Sequence, residues 1–279
     1  RTVAVADHRP LAAAVPVRVA GHFNLNGAEI ERAQWLGMQA LVYLNPKTYW
    51  DTVAPAPDEF VFPADGDIVR ARDSGFGVSV HLSYPVKGTP KWLDAVPAAK
   101  GQWGWQRLIP RPEDRGHWRN YIRQSAEHYR SWVDTWEIIS EANGVMSPAD
   151  YVPLLAAAYE EIKAVDPTMR VVGISATWDF NSDGFAFVED CLELGAGRYL
   201  DVISLHPYTW PRAPEERGVE QMLALVRRLR DTHAPHAEIW ATEWSYVSPV
   251  CEPGRPVTQK GAEVTDPFAT ARLTWRHST

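Results

Sequence analysis

Short β-branched runs alternate along this chain with longer stretches whose apolar positions recur every three or four residues. The runs "VRVAGHF" (17–23), "QALVYL" (39–44), "GVSVHL" (77–82), "VDTWEIIS" (133–140), "RVVGIS" (170–175), "DVISLH" (201–206) and "EIWATE" (238–243) predict seven strands. Helical patterns fall between them at 28–37, 64–74, 116–131, 149–165, 184–195 and 217–233. In "PADYVPLLAAAYEEIKAVD", Val152, Leu155, Ala156, Tyr159 and Ile162 share one face, and Ser147 or Asp150 can cap the start. Strands that are apolar nearly throughout and separated by helices predict a parallel sheet covered by those helices.

Two α/β architectures fit this rhythm, an open doubly wound sheet and a closed barrel of strand-helix units. The open nucleotide-binding sheet calls for a glycine-rich turn after its first strand, and "GHFNLNGAEI" supplies neither G-x-G-x-x-G nor a P-loop. A barrel instead gathers functional polar residues at the C-terminal ends of several strands. Here those ends carry His22, His81, Glu141, His206 with Tyr208, and Glu243. The expectation is one barrel domain over 1–279, with 1–16 and 247–279 as atypical terminal segments. No eighth strand is recognisable after Tyr246, where "DPFATARLTWRHST" reads as a helix. Seven strands would leave two unpaired parallel edges. They would have to close on each other, or be covered by 1–16, by 247–279 or by a second copy in a homodimer.

Composition narrows the partners. With 279 residues, 45% hydrophobic and 23% charged, the chain is globular and long enough for a full core. A net charge of -7 and the lack of a basic stripe argue against nucleic acid. No apolar run approaches the roughly 20 residues of a membrane span. The chain opens at Arg1 without a signal-like segment, which reads as a processed or trimmed polypeptide. Cys191 and Cys251 are too few for a disulfide framework and fit a secreted or a cytoplasmic protein equally. No cofactor motif stands out. Thirteen Trp and ten Tyr are unusual, and several lie in loop-like stretches such as "GQWGWQ", "TWDFNSDG" and "HPYTWPR". Most of these rings belong to the core, but those in loops suit stacking against a flat apolar ligand face such as that of a sugar.

The chemistry concentrates in "TWEIISEANG" and "IWATEWSY". In each, an apolar strand ends in a carboxylate, Glu141 on the fourth strand and Glu243 on the seventh. Two carboxylates at the same barrel mouth can face each other across a ligand. A pair roughly 5–5.5 Å apart suits retaining glycoside hydrolysis, and a gap of roughly 6.5–9.5 Å leaves room for the water of an inverting reaction.

"WEIISEAN" resembles the W-E-x-x-N-E-P-N element of the clan A retaining glycoside hydrolases, "IWATEWS" resembles their nucleophile strand, and "DVISLHPY" their sixth-strand element. The segment "YWDTVAPAPDEFVFPADGDIVRARDSGFGVSVHL" and the turn "GTPKWL" resemble the branch that contains β-xylosidases, α-L-iduronidases and some endo-β-glycosidases. The resemblance covers about residues 17 to 247 and implies a TIM-type (β/α)8 barrel acting on β-linked oligo- or polysaccharides. It implies Glu141 as acid/base, Glu243 as nucleophile, Tyr208 as hydrogen-bond donor to that nucleophile, and His206 lining the sugar site. As the acid, Glu141 has to hold a proton near neutral pH, which calls for apolar surroundings. Asn143, Ser140, His81, Trp178, Trp210 and Trp244 are the further candidate substrate contacts. The chain departs from the family at Ser140, where Asn is usual. It also lacks the Arg often found at the end of strand two, where Tyr43 and Asn45 stand nearby. These departures keep a second reading open, a carbohydrate-binding barrel with little or no catalysis. A metal-dependent hydrolase using His22, His81 and His206 is the weaker third reading, because no H-x-H pair is present.

Overall fold

Each predicted apolar run becomes a strand, and the seven lie in one all-parallel sheet in sequence order. The computed structural model describes residues 20–23, 25–82, 90–93, 95–98, 107–110, 112–144, 146–177, 184–209, 214, 216–244, 258–259 and 262–263. The sheet strands are β1 (Ala20–His22), β2 (Ala40–Tyr43), β3 (Gly77–Leu82), β4 (Thr135–Ile138), β5 (Arg170–Thr177), β6 (Val202–His206) and β7 (Glu238–Ala241). The connecting helices are α1 (Gly27–Trp35), α2 (Asp65–Asp73), α3 (Arg115–Tyr129), α4 (Pro148–Val165), α5 (Gly184–Glu193) and α6 (Val219–His233). The strand-helix alternation and the curl of the sheet make this a TIM-type barrel. Among the described residues no eighth strand pairs with either edge.

The caps follow the local chemistry. Asn26 accepts from Glu29 N at the start of α1, and Ser147 accepts from Asp150 N at the start of α4. Helix α2 carries Asp65 and Asp67 in its first turn and Arg70 and Arg72 in its last, complementing its dipole at both ends. The buried face of α4 is shifted from its expected stripe: Tyr151, Leu154, Ala157 and Ala158 are buried with Val152, Leu155 and Ile162, while Ala156 and Tyr159 are only half-buried. That helix meets both the sheet and α3, whose Trp118 donates through Nε1 to Leu154 O at 3.0 Å.

The core sits under the middle of the sheet. Every residue of β4 and β6 is buried, as are seven of the eight in β5. Trp136 and Ile138 point out to the helical layer, while the opposite parity of the same strand carries Glu137 inward. The edges differ: β1 and β7 each have exposed residues at both ends. Across the gap between them, His22 Nε2 lies 3.0 Å from Thr242 O, so a side chain from the first strand reaches the exit of the seventh.

Two elements lay outside the expected pattern. Ala95–Ala98 pairs antiparallel with Arg107–Pro110 after β3, a hairpin that "AVPA" conceals because Pro is a poor strand residue. In the tail, Thr258–Gln259 pairs only with Ala262–Glu263.

Candidate active site

The exits of β4 and β5 are strained where the site is built. Ile139 and Glu141 have φ of 57° and 52°, and Ile174 and Ser175 have φ of 75° and 41°. Such values are uncommon for residues with a side chain, above all β-branched Ile, and each costs about 1–3 kcal/mol. The register between β5 and β6 shifts by one residue between Gly173 and Ala176, a bulge that turns the chain at this point. Backbone partners compensate the distortion. Glu141 N donates to Ser175 O at 3.0 Å. The Tyr151 hydroxyl, arriving from α4, donates to Ile138 O at 3.1 Å and accepts from Ile174 N at 2.6 Å. Tyr151 thus replaces a ladder contact that the bulge removes, and it fixes the turn from which Glu141 projects.

Glu141 and Glu243 arrive at the same mouth. Glu141, His206 and Glu243 each present one oxygen or nitrogen, and these atoms all lie within 4.8 Å of one another. His206 Nδ1 is 3.2 Å from Glu141 Oε1 and 3.7 Å from Glu243 Oε2, so the imidazole sits between the two carboxylates. The Tyr208 hydroxyl donates to Glu243 Oε2 at 3.0 Å. His22 Nε2 comes within 4.0 Å of the other oxygen, Oε1. Glu243 is therefore approached from β1 and from the exit of β6, and its side chain is 15% exposed. The surroundings of Glu141 are more polar than expected for a resting acid, with His206 in contact and 22% of the side chain exposed.

Beneath the mouth lies a second layer that the sequence reading passed over. Glu137, on β4, is fully buried. Its Oε1 accepts from Ser175 Oγ at 2.6 Å and from Thr242 Oγ1 at 3.0 Å, and lies 3.5 Å from His206 Nε2. Its Oε2 is 3.0 Å from His81 Nε2, close enough for ion pairing though not aligned as a hydrogen bond. Burial alone would push the Glu137 carboxyl up, but the adjoining His81 and His206 outweigh it and hold the group well below the usual carboxylate range. Burial would likewise lower His206, yet its bonds to Glu137 and Glu141 and the charges of Glu243 and Glu137 raise it to about 10. His22 goes the other way, lowered chiefly by burial, with Glu243 opposing.

The expected site residues separate accordingly. Glu141, Glu243, His206 and Tyr208 come together. His81 is buried against Glu137, one layer below the mouth. Asn143 is clipped to the end of β5, donating to Thr177 O and accepting from Thr177 N, both at 3.0 Å. Ser140 is buried. Trp244 is 43% exposed beside Glu243, while Trp178 and Trp210 lie outside the described residues. Near the end of β2, Tyr43 donates to Asp67 at 2.7 Å and Asn45 caps the turn Pro46–Thr48, so both serve local structure. Period-two alternation held the signal for Glu137: it is four residues before Glu141 on one strand, hence on the inward side beneath it. His22 stood among the strand-end residues, whereas Thr242 and Ser175 carry no comparable mark.

A cation could span Glu141, His206 and Glu243 by distance alone. Both His206 nitrogens are turned toward oxygen acceptors, however, which suits an imidazolium and not a metal ligand. A cationic imidazole between two carboxyl groups this close offsets the repulsion that negative charge on both would bring. Chemically the site offers one carboxylate held by a phenol and a second close by on a rigid turn.

No family model matches the chain, and no curated protein matches it. Solved structures share the fold. A monomeric beta-xylosidase from Caulobacter crescentus superposes with a TM-score of 0.59 at 19% identity, covering 83% of this chain and 53% of its own. A family 39 glycoside hydrolase from Bacteroides cellulosilyticus gives 0.55 at 20% identity, covering 70% and 39%. A xylanase from Paenibacillus barcinonensis gives 0.59 at 15% identity, covering 92% and 76%. The chain thus spans about half or less of the length of the first two, and what it shares with all three is the barrel.

Proposed function

We propose that the chain is the catalytic barrel of a retaining glycoside hydrolase of the clan A type, acting on β-linked oligo- or polysaccharides. The observation that carries this reading is the closeness of Glu141 and Glu243 at one barrel mouth, within 4.8 Å by their nearest ligand-type oxygens. A pair this close fits the retaining arrangement better than the wider spacing of an inverting one. The fold likeness to xylosidases and a xylanase supports the same substrate class, with xylose-containing β-glycosides first among candidates.

Glu243 is the nucleophile. Tyr208 donates to Oε2, which orients the carboxylate and leaves Oε1 toward the mouth, where an anomeric carbon would sit. Glu141 protonates the leaving oxygen as the first glycosidic bond breaks. After Glu243 has formed the covalent glycosyl ester, Glu141 takes a proton from the incoming water, and the ester is cleaved. Trp244 supplies an exposed ring beside Glu243 for stacking, and Trp178 and Trp210 are the further candidates. A binding-only barrel has no use for two carboxylates in this arrangement, so the catalytic reading stands ahead of it.

The test is a panel of aryl β-glycosides and β-glycans with Glu243→Ala as control. Hydrolysis by the native chain, loss in Glu243→Ala and partial rescue by azide, yielding a glycosyl azide of inverted configuration, would support the assignment. Turnover that persists in Glu243→Ala would contradict it.

A further inference from the structure

The carboxylate under the site has no part in the bond-breaking steps, yet Glu137 is the most buried of the described acidic residues and is met by side chains from β3, β5, β6 and the exit of β7. Donor and acceptor roles can be assigned around it. Thr242 has one hydroxyl proton, and Glu137 Oε1 at 3.0 Å can only accept it when ionised. Toward His206 Nε2, at 3.1 Å, Thr242 Oγ1 is therefore the acceptor, which places a proton on Nε2. Ser204 Oγ, at 2.5 Å from Thr242 Oγ1, then donates as well. On the other side of the ring, Nδ1 faces Glu141 Oε1 and Glu243 Oε2. Glu141 Oε1 can accept from Nδ1 while the acid proton sits on Oε2, and the nucleophile carboxylate Glu243 nearby favours the cation, so Nδ1 also carries a proton.

We propose that Glu137 is a positioning residue: through Thr242 and by direct charge it holds His206 as an imidazolium whose Nδ1–H donates to Glu141 and whose charge faces Glu243. A neutral imidazole would leave one nitrogen as a lone pair aimed at an oxygen, either Thr242 Oγ1 or a carboxylate. The ring could then relax by turning, and Glu141 would lose its donor and Glu243 the charge that faces it. With Glu137 charged, neither nitrogen can lose its proton without leaving a buried anion uncompensated. The charge on Glu137 is itself held by Ser175, Thr242 and His81, so the strained β5 bulge that presents Ser175 also serves this layer. The other titratable groups around the pair are His22 from β1, Tyr151 from α4, and Glu141, Glu243 and Tyr208 at the mouth. Their effects are separable, because only Glu137 and His81 approach from below. The raised His206 and lowered Glu137 described above agree with this assignment.

The catalytic importance of the device rests on the proposed hydrolase reading, but the charge state does not, so the closing experiment reads the charge state directly. The imidazole nitrogens of the 15N-histidine-labelled chain are followed by NMR from pH 5 to 10, with His206 assigned by the signal lost in His206→Gln. In the native chain His206 is expected to show two protonated nitrogens at pH 7 and to begin losing one only above about pH 8. In Glu137→Gln its midpoint is expected to fall by at least one pH unit, a change of about tenfold in proton affinity. Thr242→Val, which keeps Glu137 but removes the relay, is expected to shift it in the same direction by less. A neutral His206 at pH 7 in the native chain overturns the proposal even if Glu137→Gln does not fold, and so does an unchanged midpoint in a folded Glu137→Gln. A chain that hydrolyses no glycoside yet shows the cationic His206 and its loss in Glu137→Gln would overturn the hydrolase reading alone.

Discussion

The inner strands and the edge strands of this sheet are built to different standards. Strands β4, β5 and β6 are buried along nearly their whole length, and their exits are locked by Tyr151, by the Ser175 carbonyl and by the Asn143 clip. Strands β1 and β7 are short and exposed at both ends, and the His22 side chain joins them at the mouth by reaching the Thr242 carbonyl. The candidate pair straddles this divide, with Glu141 leaving the rigid centre and Glu243 leaving an edge. One carboxylate is thus placed by the fold itself, and the other by the hydrogen bonds that Tyr208 and its neighbours supply. The difference teaches that losses at the centre fall on stability and placement together, whereas losses at the edge fall mainly on the site.

The largest expected effects are on activity. Glu243→Ala is expected to be inactive on every substrate while unfolding near the native midpoint. Glu141→Ala is expected to lose about 10²–10⁴-fold with poor leaving groups and much less with activated aryl glycosides. Steady-state rates across a leaving-group series beside denaturant curves check both. An equal loss for every leaving group in Glu141→Ala, with deglycosylation shown not to limit the rate, would remove it from the acid role.

Next come substitutions that set centre against edge. Trp136 is fully buried on β4, and Trp136→Ala is expected to cost about 3–5 kcal/mol. Trp240, on β7, only donates to Glu238 and lies over Arg170, so Trp240→Ala is expected to cost about 1 kcal/mol or less. Comparable losses at both positions would mean that the edge is covered by other parts of the protein. Tyr151→Phe removes both partners of the strained exit and is expected to cost about 1–3 kcal/mol. Because Glu141 depends on that exit, kcat should fall in the same variant with KM little changed. A stability loss without a change in kcat would show that the bulge does not place Glu141.

The last effects are those of pH on stability, spread over several pH units. His206 is raised from 6.5 to about 10, so its contribution is complete below about pH 6.5 and is lost as pH rises through 10. Glu137 is lowered, so its contribution is present above the ordinary carboxylate value of 4.5 and is lost as pH falls through its depressed value. The lowered His22 acts in the same sense as Glu137, favouring the fold above pH 6.5 and weakening it on acidification. Denaturant midpoints are therefore expected to fall progressively from about pH 6.5 to about pH 10 in the native chain, and to lose most of that fall in His206→Gln.

The legible part of the molecule was the part governed by period and strand ends. Alternation of apolar runs with amphipathic helices set the seven strands to within a few residues, and the strand-end rule brought Glu141, Glu243, His206 and Tyr208 to one mouth. Ser147 was readable as a cap because capping is local. The illegible part depends on contacts between residues far apart in the chain. Nothing near Asn143 marks Thr177 as its partner, and nothing near Tyr151 marks the bulge 23 residues later that needs its hydroxyl. Glu137 lay between the two cases: its inward side followed from period two, but its charge was hidden in a strand read as uniformly apolar.

The most direct test of the central claim, a close carboxylate pair working by double displacement, is the configuration of the first-formed product. A proton NMR time course on a β-glycoside that the chain hydrolyses should show the β-anomer first, with the α-anomer appearing only at the rate of mutarotation. An α-anomer formed first would mean that water attacks directly and that Glu243 is a base, which contradicts the account.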